Sequence, residues 1–366
     1  MTGARIPIAQ PMVGEEEITA VSSVLRSGML AQGKKVEELE HRFAAYCGTD
    51  HAVAVNSGTA ALHAALLAMG VGPGDEVIVP SFTFFATASC VSMCGARPVF
   101  ADVDADTFNI DPSSVLEAIT PSTKAVIGVH LFGQPFDVRA LSDICVDHRL
   151  DLLEDAAQAH GAAYHEKKVG GLGHAACFSF YATKNMITGE GGMVTSDDAQ
   201  LVDRIRLIIN HGQQQKYLHV RLGYNFRLTD ICAAIGLVQL KKLDTMNGAR
   251  IHNADRLTRE ITATGITTPY CATGNYHVYH QYVVKVGDPF PLTRDALAEH
   301  LNRKGIGTAI HYPIPLHHQP LYAGESPEGL CPVSDRLSRS VLSLPVHPLL
   351  TEQDLSRISG AIQEVQ

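Results

Sequence analysis

Hydrophobic positions in the first half of the chain alternate between short continuous runs and helix-favouring stretches. The continuous runs lie at 52–56, 76–80, 98–102, 125–130 and 150–155. Strands that are apolar along their whole length are typical of a mainly parallel sheet with helices on both faces. The pattern therefore predicts an α/β fold.

Two regions show mostly helical spacing. Residues 14–46 carry apolar positions at helix intervals, with a break around 27–30. Residues 201–246 are also helical, apart from a polar stretch at 211–227. We expect the first region to be a helical segment that precedes the sheet.

The character of the chain changes after residue 247. A helical pattern at 250–263, an alternating strand at 280–286 and further helices indicate a smaller α+β unit. We therefore expect a large α/β domain over residues 1–246 and a small C-terminal α+β domain over residues 247–366.

Composition narrows the class of protein. The chain has 366 residues, of which 45% are hydrophobic, and a net charge of -9. No apolar run is long enough to span a membrane, and the first residues lack the apolar core of a signal peptide. We expect a soluble cytoplasmic protein that binds neither nucleic acid nor membrane.

The spacing of the cysteines and histidines indicates neither a redox motif nor a metal site. None of the eight cysteines forms a CxxC pair, so buried free thiols in a reducing compartment are expected. The histidines at 311, 317, 318 and 347 have no recognised ligand spacing. We therefore expect no metal site.

Lys184 stands between an aromatic apolar run at 177–181 and a glycine cluster at 189–192. A charged side chain is unusual between two buried strands. It is either an ordinary surface lysine in a turn or an amine placed to form a Schiff base. In the second case, desolvation or a neighbouring positive charge would keep the amine reactive.

Other polar residues follow predicted strands, where parallel sheets bind ligands. Gly58 and Thr59 open a helix directly after a strand, and this turn is either a phosphate site or a plain capped helix. Asp155 ends a strand, and its carboxylate is either a helix cap or a ligand to a cationic group. Ser179 precedes Lys184 and is either a phosphate contact or a strand serine.

Together these residues fit pyridoxal phosphate. This cofactor needs a lysine for its aldehyde, an anion for its ring nitrogen, donors for its phosphate and a flat group against its ring. The chain offers Lys184, Asp155, the Gly58–Thr59 turn with Ser179, and Phe84.

Dinucleotide binding is a rival interpretation. Residues 171–176 formally match GxGxxA. The residues before them are too charged for a buried first strand, and a strand-like run follows where a helix is required. We reject this interpretation.

The chain resembles the DegT/StrS family of nucleotide-sugar aminotransferases, which belongs to the fold-type I pyridoxal phosphate enzymes. The resemblance extends from Pro7 to about Leu349. It is carried by NSGTAALHAAL at 56–66, GPGDEVIVPSFTFFAT at 72–87, EDAAQAHGA at 154–162, FSFYATKNMITGEGG at 178–192 and GYNFRLTDICAAIGLVQL at 223–240. It implies a mainly parallel central sheet of the seven-stranded type.

The resemblance also implies roles for individual residues. Lys184 matches the lysine that holds the cofactor and moves protons, and Asp155 matches the partner of its ring nitrogen. The other cofactor contacts implied are Gly58, Thr59, Phe84, Gln158, Ser179 and Asn225. The asparagine would reach the phosphate in the neighbouring subunit of a homodimer.

Substrate contacts are implied at Arg227, His311 and Tyr312. Met29 stands where family members often have tryptophan, and this chain contains no tryptophan. The substrate pocket of this chain is therefore expected to differ from that of many members.

Members that dehydrate the sugar carry histidine in place of the lysine, so Lys184 favours transamination. We expect an aminotransferase that moves the amino group of L-glutamate to a nucleotide-linked keto-sugar, preferably a 4-keto-6-deoxyhexose, for surface-glycan synthesis. The alternatives are a 3-keto sugar, a keto-uronate or a cyclitol as acceptor, a different reaction of the same cofactor such as dehydration, and a non-catalytic regulatory protein that binds the cofactor.

Overall fold

The computed structural model describes residues 5–324, 327 and 329–365. Its helices are α1 Glu15–Ser27, α2 Lys34–Cys47, α3 Gly58–Ala68, α4 Ala86–Met93, α5 Pro112–Ala118, α6 Val138–His148, α7 Ala199–Ile209, α8 Asp230–Glu260, α9 Arg294–Arg303, α10 Pro332–Ser340 and α11 Glu352–Gln363. Short 3-10 turns lie at Leu131–Gly133 and Leu316–His318.

The strands are β1 His51–Val55, β2 Glu76–Pro80, β3 Arg97–Ala101, β4 Thr123–Val129, β5 Asp151–Asp155, β6 Ala163–Tyr164, β7 Lys167–Lys168, β8 Ala175–Ser179, β9 Gly192–Ser196, β10 Gln213–Gln215, β11 Leu218–His219, β12 Ile266–Thr267, β13 Asn275–Tyr276, β14 Tyr282–Val286 and β15 Val341–Leu344.

A seven-stranded sheet forms the centre of the molecule. Its strand order is β1-β9-β8-β5-β4-β2-β3. Strands β8, β5, β4, β2 and β3 pair in parallel, and β9 runs antiparallel to both of its neighbours. The expected α/β fold with a mainly parallel, seven-stranded sheet is confirmed.

Helices cover both faces of this sheet. Within β1, Val53 and Val55 pack into a core with α3, α4 and α7, whereas Ala52 and Ala54 pack into a core with α2 and α8. This division follows from the two-residue period of a strand, which sends successive side chains to opposite faces. Helix α3 is buried on nearly all sides, as expected for its alanine- and leucine-rich sequence.

The C-terminal part of the chain has its own core. Strands β12, β14 and β15 form a separate sheet, and α9, α11 and the second half of α8 pack against it. The separate helix expected at 250–263 is wrong, because α8 continues through Asn247 and Gly248 to Glu260. The expected domain boundary after residue 246 falls inside this helix, and the division into two domains stays a prediction.

Within the described part of the chain, no helix combines the length and the apolar character needed to cross a membrane.

Candidate active site

A cavity of about 370 Å³ lies at the carboxyl edge of the central sheet. The residues that follow four strands supply most of its wall. These residues are Ser57, Gly58 and Thr59 after β1, Thr83 and Phe84 after β2, Ala157 and Gln158 after β5, and Tyr181, Thr183 and Lys184 after β8. Asp155 and Ser179, at the ends of their strands, also face it. Parallel strands point their carboxyl ends to one edge, so residues distant in sequence meet there.

The loop that carries Lys184 is closed by its own backbone. Phe180 N donates to Gly191 O at 2.8 Å, and Thr188 N donates to Phe180 O at 2.8 Å. The next side chain, Asn185, is buried and donates to Asn247 Oδ1 at 2.9 Å and to Val278 O at 3.0 Å. These contacts fix the position from which Lys184 extends into the cavity.

Lys184 is half-buried as a whole, and its ammonium group is the desolvated end of the side chain. Burial lowers the pKa of Lys184 to about 8, although the nearby Asp155 carboxylate acts in the opposite direction. A lysine with an ordinary pKa is almost entirely protonated at neutral pH. The burial of Lys184 therefore makes its neutral, nucleophilic form accessible near physiological pH.

Asp155 is 5% exposed and ends β5 at the floor of the cavity. Thr87 Oγ1 donates to Asp155 Oδ2 at 2.8 Å, and Ala157 N donates to Oδ1 at 3.2 Å. Burial raises the pKa of Asp155, whereas these hydrogen bonds and the charge of Lys184 lower it. Among the described residues, no lysine, arginine or histidine nitrogen lies within 4.0 Å of this carboxylate.

The N-terminus of α3 forms one wall. Ser57 caps this helix by accepting a hydrogen bond from Ala60 N at 3.1 Å. The amides of Gly58 and Thr59 belong to the first turn and have no acceptor within the helix. A Cβ on Gly58 would lie 2.7 Å from Cβ of Ser179, so only glycine allows this close approach. The free amides and the Ser179 hydroxyl make a site suited to an anion.

The opposite wall contains Gln158, Tyr312 and Phe84. Phe132 N donates to Gln158 Oε1 at 2.8 Å, and Gln158 Nε2 donates to Tyr312 Oη at 3.0 Å. The rings of Phe84 and Tyr312 have centroids 6.3 Å apart. Because Phe84 is 57% exposed, its face is free to meet a flat group in the cavity.

Three histidines, His160, His280 and His311, lie near enough to Lys184 for its charge to lower their pKa values. His280 Nδ1 lies 3.2 Å from Asn185 Oδ1, and His311 Nδ1 lies 2.9 Å from Ser343 Oγ. Burial and the charge of Lys184 lower the pKa of His311 to about 4 and that of His160 to about 3. Burial likewise lowers the pKa of His280. These rings are neutral at physiological pH, so they add no positive charge around the amine.

Most of the site residues expected from the sequence meet at this cavity. They are Gly58, Thr59, Phe84, Asp155, Gln158, Ser179, Lys184, His311 and Tyr312.

Asn225, Arg227 and Met29 do not line the cavity of their own chain. The side chain of Asn225 is exposed, while its backbone carbonyl accepts a hydrogen bond from Asn56 Nδ2 at 3.3 Å. Arg227 Nη1 donates to Asn210 Oδ1 at 2.6 Å, and Met29 is 69% exposed. Their roles stay predictions.

Sequence reasoning missed several residues of the site, among them Thr87, Tyr181, Glu190 and His280. Thr87 binds Asp155, and Tyr181, Glu190 and His280 line the cavity. Thr87, Tyr181 and Glu190 lie inside motifs that carry the family resemblance, and this was the available signal. His280 comes from the C-terminal part of the chain, and no local pattern marks it.

The glycine-rich segment at 171–176 has a structural role. The Glu154 carboxylate accepts hydrogen bonds from the amides of Gly170, Leu172 and Gly173, and it also contacts His130 Nε2 at 2.9 Å. Strand β8 follows this segment where a dinucleotide site would need a helix.

Comparisons with known proteins give consistent matches over almost the whole chain. Residues 11–363 match the model of the DegT/DnrJ/EryC1/StrS aminotransferase family. The chain is 43% identical to the "Pleiotropic regulatory protein" of Geobacillus stearothermophilus, over 95% of this chain and 94% of that protein. It is 42% identical to the dTDP-3-amino-3,4,6-trideoxy-alpha-D-glucose transaminase of Streptomyces venezuelae, over 98% and 97% of the two chains.

Among solved structures, the crystal structure of S. venezuelae DesV in complex with a ketimine intermediate superimposes with a TM-score of 0.95. The two chains are 42% identical, and the match covers 99% of this chain and 98% of that one.

Proposed function

The chain belongs to the DegT/DnrJ/EryC1/StrS aminotransferase family, and we propose that it transfers the amino group of L-glutamate to a nucleotide-linked keto-sugar. The observation that carries this proposal is the presence of Lys184 and Asp155 in one cavity. Burial lowers the pKa of the lysine to about 8, and no lysine, arginine or histidine nitrogen of the described residues lies within 4.0 Å of the buried carboxylate.

Pyridoxal phosphate is the cofactor of this aminotransferase, and the side chains of the cavity fit it. Lys184 offers an amine to the aldehyde, and the buried Asp155 carboxylate offers a counter-charge to the ring nitrogen. The amides of Gly58 and Thr59, with Ser179, offer donors to the phosphate. When bound, the cofactor delocalises the negative charge that develops on the substrate carbon beside the amino nitrogen.

The residues of this chain perform the remaining tasks. Lys184 Nζ, in its neutral form, would accept the proton from the substrate carbon beside the amino nitrogen and deliver it to the cofactor. It would move a proton in the reverse direction when the keto-sugar is aminated. Asp155 keeps its negative charge with the help of Thr87 and Ala157, and so favours a protonated ring nitrogen. The neutral histidines leave the proton affinity of Lys184 undisturbed by further positive charge.

The acceptor is a keto-sugar on a nucleoside diphosphate. This part of the proposal rests on the family and on the name of the S. venezuelae relative, which is a transaminase of a dTDP-linked 3-amino sugar. A 3-keto sugar is therefore the main alternative to the 4-keto-6-deoxyhexose expected from the sequence. In either case the amino sugar would enter glycan synthesis.

Half-reactions test the donor and the acceptor separately. L-Glutamate should abolish the visible absorbance of the cofactor-loaded protein and yield 2-oxoglutarate, and a nucleotide keto-sugar should restore it. Mass spectrometry and NMR of the product would identify the aminated carbon. Lys184→Ala is the control and should show neither change. A loaded protein that responds to no donor would refute the proposed reaction and leave the regulatory alternative.

We also propose that the enzyme is a homodimer with shared active sites. The side chain of Asn225 is exposed and lies outside the cavity of its own chain, so a role at the phosphate requires a second chain. Large apolar side chains are exposed nearby in sequence, with Tyr217 at 82% and Leu222 at 80%. Exposed apolar surface of this kind is typical of a protein interface.

A complementation experiment tests this assembly. Lys184→Ala and Asn225→Ala chains would be unfolded and refolded together with the cofactor, beside each variant alone. If sites are shared, a mixed dimer has one site with both native residues and one with neither, so activity returns above that of either variant. Mixed dimers that stay as inactive as the separate variants would contradict a shared site, and sedimentation at the mass of one chain would contradict the dimer.

A further inference from the structure

A cluster of two histidines and one aspartate lies outside the cavity. His317 and His318 occupy the 3-10 turn at Leu316–His318, and Asp335 lies in the first turn of α10. Their ligand atoms, one from each side chain, all lie within 4.8 Å of one another. Among the residues that the structure describes, no other set of three or more such side chains comes this close.

The distance from Asp335 to His317 matches the separation of two ligands around a small tetrahedral cation, whereas the distance to His318 is shorter and would lengthen on binding. Asp335 Oδ1 lies 3.4 Å from His317 Nε2 and 2.9 Å from His318 Nε2. Ligand atoms of a zinc ion bound at 2.0–2.1 Å are separated by about 3.3–3.4 Å along the edges of a tetrahedron. Two imidazoles and one carboxylate form a donor set that zinc accepts, with water as the fourth ligand.

His317 distinguishes this cluster from a surface ion pair. The residue is 4% exposed, and its Nε2 atom is buried without a hydrogen-bond partner. Its Nδ1 atom lies 2.5 Å from Ser81 Oγ. Ser81 Oγ either accepts a hydrogen bond from Nδ1–H, which leaves the lone pair of Nε2 facing Asp335 Oδ1, or donates to Nδ1, which places the Nε2–H there. A buried lone pair facing a carboxylate oxygen is unfavourable by itself, so a cation bound between the two atoms would select the first tautomer.

The surroundings hold the three ligands in place. Leu316 N donates to Ser81 O at 2.8 Å, which ties the histidine turn to the end of β2. Asp102 accepts hydrogen bonds from Val333 N at 2.8 Å and from Ser334 N at 2.9 Å, which fixes the start of α10. Such contacts to the ligands and their elements are typical of metal centres.

From this geometry we propose that His317, His318 and Asp335 bind a divalent transition-metal ion of the zinc class. The ion enters from solvent beside His318, whose side chain is half-exposed, and it joins the 3-10 turn to α10. Spacing along the chain gives no sign of this site, because Asp335 comes from another element.

Zinc titration of the cofactor-loaded protein tests the proposal, with a competing chromophoric chelator as the readout. The wild type should bind Zn²⁺ at one site that His318→Ala and Asp335→Asn weaken by at least about tenfold. His252→Ala is the matched control, because His252 Nε2 lies 3.3 Å from Glu352 Oε1 in an exposed pair without a third ligand. This control should bind zinc as the wild type does.

Two further measurements separate binding from folding. Zn²⁺ should raise the melting temperature of the wild type and of His252→Ala, but not that of His318→Ala. Zinc-soaked crystals should show an anomalous-scattering peak between the three ligand atoms. A wild type that takes up no zinc at micromolar concentrations, equal affinity in all four proteins, or a peak only elsewhere in the molecule would overturn the proposal.

Discussion

Thr87→Val is the most direct test of how the protein holds the charge of Asp155. Thr87 Oγ1 donates to Asp155 Oδ2 at 2.8 Å, and both residues are buried. Burial raises the pKa of the carboxyl group, and this hydrogen bond counteracts the rise. Valine has nearly the shape of threonine but lacks the donor, so the change removes one stabilising contact of the carboxylate.

The expected effect is on cofactor affinity. A hydrogen bond to a charged group contributes about 1.5–3 kcal/mol, and each 1.4 kcal/mol changes a dissociation constant about tenfold. Under the proposed function this carboxylate would pair with the ring nitrogen, and the bond stabilises the carboxylate but not the protonated acid. Because this bond is already formed without the cofactor, affinity is lost only through the raised pKa of Asp155, and we expect Thr87→Val to weaken the binding of pyridoxal phosphate by up to roughly 100-fold at neutral pH.

Equilibrium dialysis of the cofactor-free protein against pyridoxal phosphate would measure this change. Thr195→Val is the matched control, because Thr195 is equally buried and its Oγ1 donates to a neutral acceptor, Gly170 O, at 2.6 Å. Both variants should melt at a lower temperature, but only Thr87→Val should lose affinity. Affinity within about threefold of the wild type, or an equal loss in the control, would refute the reasoning.

Three further predictions follow from the same cavity. Asp155→Asn should raise the melting temperature of the cofactor-free protein at neutral pH while weakening cofactor binding. The reason is that the pKa of Asp155 is raised in the folded protein, so its charged form destabilises the fold as pH rises above 3.8. Calorimetry below that pH should therefore find no increase in the melting temperature of Asp155→Asn over that of the wild type. Covalent capture of pyridoxal phosphate by Lys184, trapped with borohydride, should accelerate with pH and level off above about 8, where the amine is neutral; a rate independent of pH would contradict the lowered pKa. Gly58→Ala should lower both the melting temperature and the cofactor affinity, because its Cβ would lie 2.7 Å from that of Ser179. Gly248→Ala is the control, because a Cβ at this position on α8 would lie in open space. Thermal melts should show that it stabilises the protein by about 0.5–1 kcal/mol.

Sequence patterns predicted the central elements well. The five apolar runs at 52–56, 76–80, 98–102, 125–130 and 150–155 correspond to β1 to β5, with ends that differ by at most two residues. Continuous apolar character and helix-favouring composition are properties of neighbouring residues, so a local pattern is enough to find them. The long helix α8 was divided because asparagine and glycine at 247–248 weaken a helix locally, whereas packing on both halves maintains it.

The chemistry of the site was also accessible from the sequence, through motifs that follow strands. Lys184, Asp155 and Gly58 were identified as one site because residues after parallel strands meet at a single edge. The sequence did not reveal the pKa or the charge of each of these groups. The lowered pKa of Lys184 depends on the burial of its amine, and the stability of the Asp155 carboxylate depends on Thr87, which lies in the first turn of α4.

Local sequence was sufficient to identify the α/β class, the strands of the sheet, the family and the lysine at the centre of the site. Each of these depends on local periodicity or on motifs of contiguous residues. Tertiary structure alone decided which polar groups lie together, as with Thr87 and Asp155 or with His317, His318 and Asp335. Burial and electrostatic interaction depend on distances in space, and folding brings together residues whose separation along the chain carries no information about those distances.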